Sequence, residues 1–484
     1  MANEYSVEDL SLLLQKIKEL KEVPEKVDPK YVIYGDEKLQ SIVLPPGMSL
    51  ENAIEELIRI KKEKETECRV LQQYENWHWK DVLAAIKKAA TDMFGWVSAK
   101  STKKDKPILL NIIVDIKNGQ PIYEECFYGK IQVTAWTDKE SKQPAICEVG
   151  ISRTGTVSVI IDTIVEYKDR ANAFLQLIEE TLRTSSIYKN RAIRVTHGSQ
   201  YGELEFEIME LKSNPNIILN KDTELIIERD IKHELTLDRE KRIYLFTGSY
   251  GNGKTETILK IGKQSIEENN MTFFYVKNSK LFTSVISIAP QYGHCGVFLE
   301  DIDEIASGSE RDGAANDILN KMDGLDTKGF GIKVFLTTNH PERLNPALRR
   351  PGRLDRVIPI LNPTKEIATK ILQTYVIQGL QLIKSSKGLP PSNNSQKVDW
   401  NHIEDLIPDV SGAVIAEIGK RLKQWITIGL PLDTQLVLEA LESMKGQIEL
   451  MNSPIEKELT PPAKIWHDIA YALKTYGVYA GDID

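Results

Sequence analysis

The segment Gly248-Ser249-Tyr250-Gly251-Asn252-Gly253-Lys254-Thr255 has the spacing G-x-x-x-x-G-K-T. Residues of these types can turn backbone N–H groups inward around phosphate oxygens, with Gly248, Gly251 and Gly253 supplying the backbone freedom. Lys254 offers an ammonium to β- and γ-phosphates, and the Thr255 hydroxyl offers a ligand to Mg²⁺. Glu256 continues the segment and is counted with it as nucleotide-binding. A second cluster lies downstream. Gly296-Val297-Phe298-Leu299-Glu300-Asp301-Ile302-Asp303 reads as a buried strand that delivers carboxylates. Ile332-Lys333-Val334-Phe335-Leu336-Thr337-Thr338-Asn339 is another apolar run, ending in an amide. Between Arg349 and Arg356 the chain packs four arginines, at 349, 350, 353 and 356.

These groups need elements to position them. Ile243-Tyr244-Leu245-Phe246 predicts a short strand before the loop, and a helix begins near Thr255, whose dipole adds positive potential. Strand–helix alternation continues to about residue 362, which predicts an α/β fold with a parallel sheet and the ligand at its carboxyl edge.

In this order the motifs resemble the AAA family of P-loop ATPases: Walker A, Walker B, sensor 1, then the second region of homology. The resemblance covers roughly 215 to 425. It implies ATP and Mg²⁺ as ligands and ATP hydrolysis as the reaction. The family ends its Walker B strand in Asp-Glu, whereas here the order is Glu300-Asp301. Aligned on the strand, Glu300 takes the magnesium position and Asp301 that of the base polarising water. Asp301 is one methylene shorter than the usual glutamate, about 1.3–1.5 Å of reach. The register with Asp301 as the magnesium acid and Glu304 as the base stays open. The resemblance makes Asn339 the sensor 1 amide that holds the attacking water. Arg350 and Arg353 match arginine fingers that reach a neighbouring subunit's γ-phosphate, implying a ring of roughly six or seven subunits. Arg349 and Arg356 are expected in structural ion pairs, for example with Asp355. Gly412 and Ala413 match the lid segment that closes over adenine. The inverted acids, with Ile288-Ala289-Pro290-Gln291 and Leu336 to Leu344, resemble the branch containing the mitochondrial translocase of the Rieske iron–sulfur protein. Where the family carries an aromatic pore loop, Asn278 to Phe282 runs almost directly into Thr283-Ser284-Val285-Ile286. Phe282 is expected in the core, with a pore position as the alternative.

The predicted organisation is a helical N-terminal region at 1–97, an α+β domain at 107–212, and a large α/β subdomain at 215–362. A helical lid follows at 363–450 and a helical extension at 451–484, its helix starting at Pro461-Pro462. Helical stripes run from Val7 to Leu20, from Leu50 to Ile58 with Ser49 as N-cap, and from Val82 to Ala90. The N-terminal helices are expected to pack inward, or to form an arm for a partner. Trp77 and Trp79, flanking His78, read as core and boundary aromatics. Residues 98–106 read as a lysine-rich linker.

With 62 basic and 70 acidic residues, the net charge of −8 supplies no positive field for nucleic acid or anionic lipid. The four cysteines lack metal spacing, no secretory signal is visible, and no window of about eighteen apolar residues occurs. A cytoplasmic location is the expectation, with no membrane and no nucleic acid among the partners. Three functions remain: an ATPase ring remodelling or moving a protein client, an ATP-switched scaffold with little turnover, and a DNA-directed motor.

Overall fold

The computed structural model describes residues 11–12, 14–15, 48–95, 107–133, 145–198, 201–211, 217–237, 240–302, 331–344, 353–387 and 398–452. The chain divides into two units: 1–213 with 227–247 and 255–358, and 214–226 with 248–254 and 359–484.

The first unit begins with α1 (Leu50–Lys64). Ser49 caps it by accepting from Asn52 N at 3.2 Å, and Lys61, Lys62 and Lys64 in the last turn complement the dipole. β1 (Glu67–Tyr74) and α2 (Trp79–Phe94) follow, and Gly95, at φ 65, ends α2. Then come β2 (Ile108–Lys117), β3 (Gln120–Val133), β4 (Ala145–Ile151), β5 (Val157–Ile164) and α3 (Lys168–Ser185). The strands form an antiparallel sheet in the order β1-β5-β4-β3-β2. Every second residue of β5 faces inward, where Val159 and Ile161 meet Leu83 and Ile86 of α2 and Phe174 and Ile178 of α3. β1 lies inside the stretch expected to be helical, 1–97, and pairs along its length with β5. As an edge strand it buries only Tyr74 fully and leaves Leu71 exposed, so its apolar alternation is weak.

A second sheet completes this unit. Its strands are β6 (Ala192–His197), β7 (Leu204–Met209), β8 (Arg242–Thr247), β9 (Thr272–Val276), β10 (Cys295–Leu299), β11 (Ile332–Thr338) and β12 (Arg356–Pro359), in the order β12-β8-β11-β10-β9-β6-β7. The run β8-β11-β10-β9-β6 is parallel, and β7 returns antiparallel to β6. The predicted α/β class is therefore the observed one. β6 and β7, expected within the 107–212 domain, extend this sheet instead. β9, β10 and β11 are buried at every position because both faces are covered, which is why they read as continuous apolar runs. α5 (Lys232–Leu235), α6 (Lys254–Asn269) and α7 (Phe282–Ile288) accompany the sheet. Phe282 is fully buried beside Leu281, Val285 and Ile286, so it is a core residue and not a pore residue. The two sheets share an aromatic cluster. Trp77 meets Tyr292 edge-on at 5.3 Å, and His78 stacks on Phe206 at 4.5 Å.

The second unit contains α4 (Lys221–Ile226), the loop 248–254 and five helices: α8 (Lys365–Lys387), α9 (Trp400–Leu406), α10 (Gly412–Thr427), α11 (Thr434–Glu442) and α12 (Lys445–Asn452). Asp399 and Asp433 cap α9 and α11. Leu372 and Tyr375 of α8 pack on Ile415, Ile418 and Leu422 of α10. A Cβ at Gly419 would stand 2.3 Å from the Tyr375 ring, so glycine there permits the close helix approach. The helix expected from Pro461-Pro462, most of the 6–22 stripe and the linker 98–106 lie outside the described residues.

Candidate active site

β8 is buried from Ile243 onward and leads directly into the glycine loop. Gly248 has φ 146, and a Cβ on it would come within 2.1 Å of the Ile360 carbonyl oxygen. Gly251 has φ 78, and a Cβ there would meet that of Ala413 at 2.9 Å. Both positions combine a left-handed backbone with a near neighbour, so a side chain at either would force the loop apart. Gly253 is also left-handed, while Ser249 and Tyr250 are exposed at the tip. Asn252 is buried and braces the loop. Its Nδ2 donates to Ile360 O at 3.2 Å, and its Oδ1 accepts from Gly412 N at 3.4 Å. Ala413 N donates to Gly251 O at 2.8 Å. The structure thus brings the lid residues Gly412 and Ala413 onto the loop. Lys254 donates from Nζ to the carbonyl oxygens of Gly248 (2.8 Å) and Ser249 (3.0 Å), which places its ammonium over the loop.

A cavity of 610 Å³ opens beside Gly248, Ser249 and Asn252, within the size range of small-ligand sites. Ile360, Leu361, Ile407 and Pro408 give it apolar walls, and Asn362 and Asp409 give it polar ones. Asn362 Nδ2 donates to Asp409 Oδ1 at 2.8 Å. Sequence reasoning named none of these walls. The available signal was the pair of breaks Asn362-Pro363 and Pro408-Asp409, each at an element boundary.

The acids belong to the first unit. Parallel pairing of β10 with β11 brings their carboxyl ends side by side. Glu300 accepts from two hydroxyls: Thr255 Oγ1 reaches Oε1 at 2.7 Å, and Tyr275 OH reaches Oε2 at 2.6 Å. Asp301 has φ 46, a left-handed backbone uncommon outside glycine and tolerated by Asp and Asn. Its N–H donates to Thr337 Oγ1 at 2.9 Å, and its Oδ1 accepts from Asn339 Nδ2 at 3.0 Å. Thr255 with Glu300, and Asp301 with Asn339, are therefore two hydrogen-bonded pairs. Tyr275 was not anticipated. Burial first, then its bond to Glu300, pushes its phenol above the ordinary range.

The Thr255 hydroxyl and Glu300 carboxylate are hard oxygen donors, the chemistry Mg²⁺ prefers. Among the described residues no group of three or more His, Cys, Asp or Glu could hold a metal.

Glu256 is half-buried, and its buried Oε2 has no hydrogen-bond partner. Arg353 is half-buried, and Arg349, Arg350, Asp303 and Glu304 lie outside the described residues. Arg356 forms ion pairs as expected, but with Glu234 (2.7 Å) and Asp230 (3.2 Å). Its sequence neighbour Asp355 instead accepts from Ile243 N at 2.7 Å and faces Arg242 at 3.7 Å.

Residues 244–361 match the model of the ATPase family associated with various cellular activities (AAA). The chain is 27% identical over 201 residues to a proteasome-activating nucleotidase of Methanococcus vannielii, covering 34% of this chain and 48% of that protein. It is 30% identical over 237 residues to the 26S proteasome regulatory subunit 4 homolog of Saccharomyces cerevisiae, covering 45% and 48%. It is 29% identical over 195 residues to the ATP-dependent zinc metalloprotease FtsH 4 of Synechocystis sp., covering 36% and 28%. The chain spans about half the length of the first two relatives and less of the third. A glycine loop after a buried strand, acids at the ends of adjacent parallel strands and the family match fall in one stretch: residues 244–361 resemble the ATPase domain of the AAA family.

Proposed function

We propose that this protein hydrolyses ATP as an oligomeric ring that remodels or moves a protein client. The observation that carries the reading is the pair of contacts Thr255–Glu300 and Asp301–Asn339 at the ends of β10 and β11. They support a division between a metal-holding acid and a water-orienting one. In this reading the loop N–H groups and Lys254 bind the phosphates, and Gly412 and Ala413 close on the nucleotide. Thr255 and Glu300 hold Mg²⁺, which when bound neutralises charge on the β- and γ-phosphates. Asp301 takes a proton from the attacking water while the Asn339 amide orients it. The Thr255–Glu300 bond supports this register over the one using Glu304. Arg350 and Arg353 act on the neighbouring subunit's γ-phosphate. Such a finger contributes on the order of 10³–10⁵ in rate.

Two relatives are named for the proteasome, which supports a protein client. Burial of Phe282 favours a ring that changes shape around a folded client over threading through an aromatic pore. That, with the Glu300-Asp301 order, keeps kinship to the Rieske-translocase branch as the finer reading. Among the described residues no helix is long and apolar enough to cross a membrane, and a cytoplasmic location is proposed. The scaffold alternative rests on the short Asp301. Steady-state turnover separates the two. The purified chain with ATP and Mg²⁺ is expected to release phosphate well above background, and Asp301→Asn is expected to bind ATP·Mg and stall. Tight binding with background turnover in the unaltered chain would favour the scaffold.

A further inference from the structure

Tyr275 stands near the carboxyl end of β9, beside β10. Only 6% of it is exposed, and its ring stacks on Phe298 with centroids 5.2 Å apart. The Lys277 ammonium lies 5.7 Å from the ring centroid on the same segment. This packing fixes the ring, and the fixed ring delivers its hydroxyl to one oxygen of Glu300. The 2.6 Å distance is that of a charge-assisted O–H···O⁻ bond.

Glu300 needs such a partner. It has one more rotatable bond than an aspartate, so an unrestrained carboxylate would spread over more rotamers. With Oε2 held by Tyr275, Oε1 is left on the Thr255 hydroxyl, and a second oxygen donor stands beside the first. We propose that Tyr275 is a positioning residue for metal binding. Its hydroxyl locks the longer Glu300 carboxylate into the one orientation that sets an oxygen beside Thr255. Tyr275 and Glu300 then form a functional pair, with the phenol restraining the flexibility that the longer acid introduces. The proposal rests on the reading that Thr255 and Glu300 hold Mg²⁺.

The test is equilibrium binding of a fluorescent ATP analogue to the full chain against Mg²⁺ concentration. Tyr275→Phe keeps the packed ring and removes only the O–H. Affinity without metal is expected to stay unchanged, while the Mg²⁺ needed for half-saturation rises on the order of tenfold, as for loss of an outer-shell partner of a metal ligand. Tyr275→Leu, a second apolar replacement, is expected to give the same rise. In a Glu300→Ala background the added Tyr275→Phe change is expected to do nothing more, because its only route of action is gone. An Mg²⁺ requirement unmoved by Tyr275→Phe, in a protein whose unaltered form needs Mg²⁺, overturns the role of Tyr275 alone. So does a tenfold rise that persists with Glu300→Ala. Binding in the unaltered chain that ignores Mg²⁺ overturns the metal reading itself, and Tyr275's role with it.

Discussion

Single residues carry the charge logic of the loop. Lys254 is buried, and its ammonium rests on carbonyl oxygens of its own loop, so the charge is held in place by the backbone that surrounds it. Lys254→Ala is expected to weaken ATP-analogue binding by roughly ten- to a hundredfold, the scale of lost hydrogen bonds between charged groups. Fluorescence titration checks this, and unchanged affinity would remove the loop from the phosphate site. The residues that stood out in the sequence did so because local spacing defines them. Gly248 to Thr255, the acids 300 and 301 and Asn339 each sit in a short recognisable run. Tyr275 and Asn252 acquire their roles from partners distant in sequence. Nothing near Tyr275 indicates that Glu300 lies 2.6 Å from its hydroxyl. Ile360, Ile407 and Asp409 line the cavity for the same reason: chain folding brings together segments that carry no shared pattern.

At the scale of elements, α2 is anchored at its amino end by two titratable groups with opposite pH behaviour. His78 accepts from Lys80 N as the N-cap, and burial, with the Lys80 charge adding, pushes its imidazole down to about 3 from 6.5. Asp81 accepts from Ser186 Oγ (2.7 Å) and Ile187 N (3.0 Å). Burial pushes its carboxyl up to about 7 from 3.8, against those hydrogen bonds and the Lys189 charge. Unfolding lets His78 take up a proton below 6.5, so its contribution to stability falls as pH drops from 6.5 toward 3. Asp81 does the reverse. The unfolded chain ionises above 3.8, so its contribution falls as pH rises from 3.8 toward 7. Between 3.8 and 6.5 the two slopes oppose each other. Asp81→Asn is expected to leave the His78 slope, with the unfolding midpoint dropping on acidification from about 6.5 to 4. His78→Phe is expected to leave the Asp81 slope, with the midpoint dropping as pH rises over that window. Thermal unfolding followed by circular dichroism measures both, and parallel profiles would count against the assignment. Elements were legible where the apolar period was strong, as in α2, β10 and β11. β1 was not, because an edge strand buries too little to show alternation. β6 and β7 fall within the stretch predicted as an α+β domain, but local pattern does not say which sheet a strand joins.

At the scale of the whole molecule, the proposed reading of Arg350 and Arg353 makes assembly part of the chemistry. Arg353→Ala is expected to bind ATP near normally and hydrolyse it slowly. Mixed with unaltered protein, it is expected to depress activity more than its share, because each altered subunit removes transition-state charge from its neighbour's site. The measurement is ATPase rate against mutant fraction, at concentrations where light scattering shows rings. A strictly linear fall, with a monomeric mass in saturating ATP analogue, would argue for a site completed within one chain.

The pairing of β6 with β9 bears on how this protein can be dissected. The AAA match begins at residue 244, yet β9 finds its neighbour at residues 192–195, and Phe206 of β7 packs 5.5 Å from Phe274 of β9. A fragment cut at the match boundary would carry a bare strand edge, with unpaired N–H and C=O groups flanked by exposed aromatic rings, a template for sticking to other copies. The parallel sheet is not a cassette inserted beside the N-terminal half. Its outer strands are encoded there, so a truncation that keeps every motif of the ATPase would still remove part of the surface on which those motifs are built.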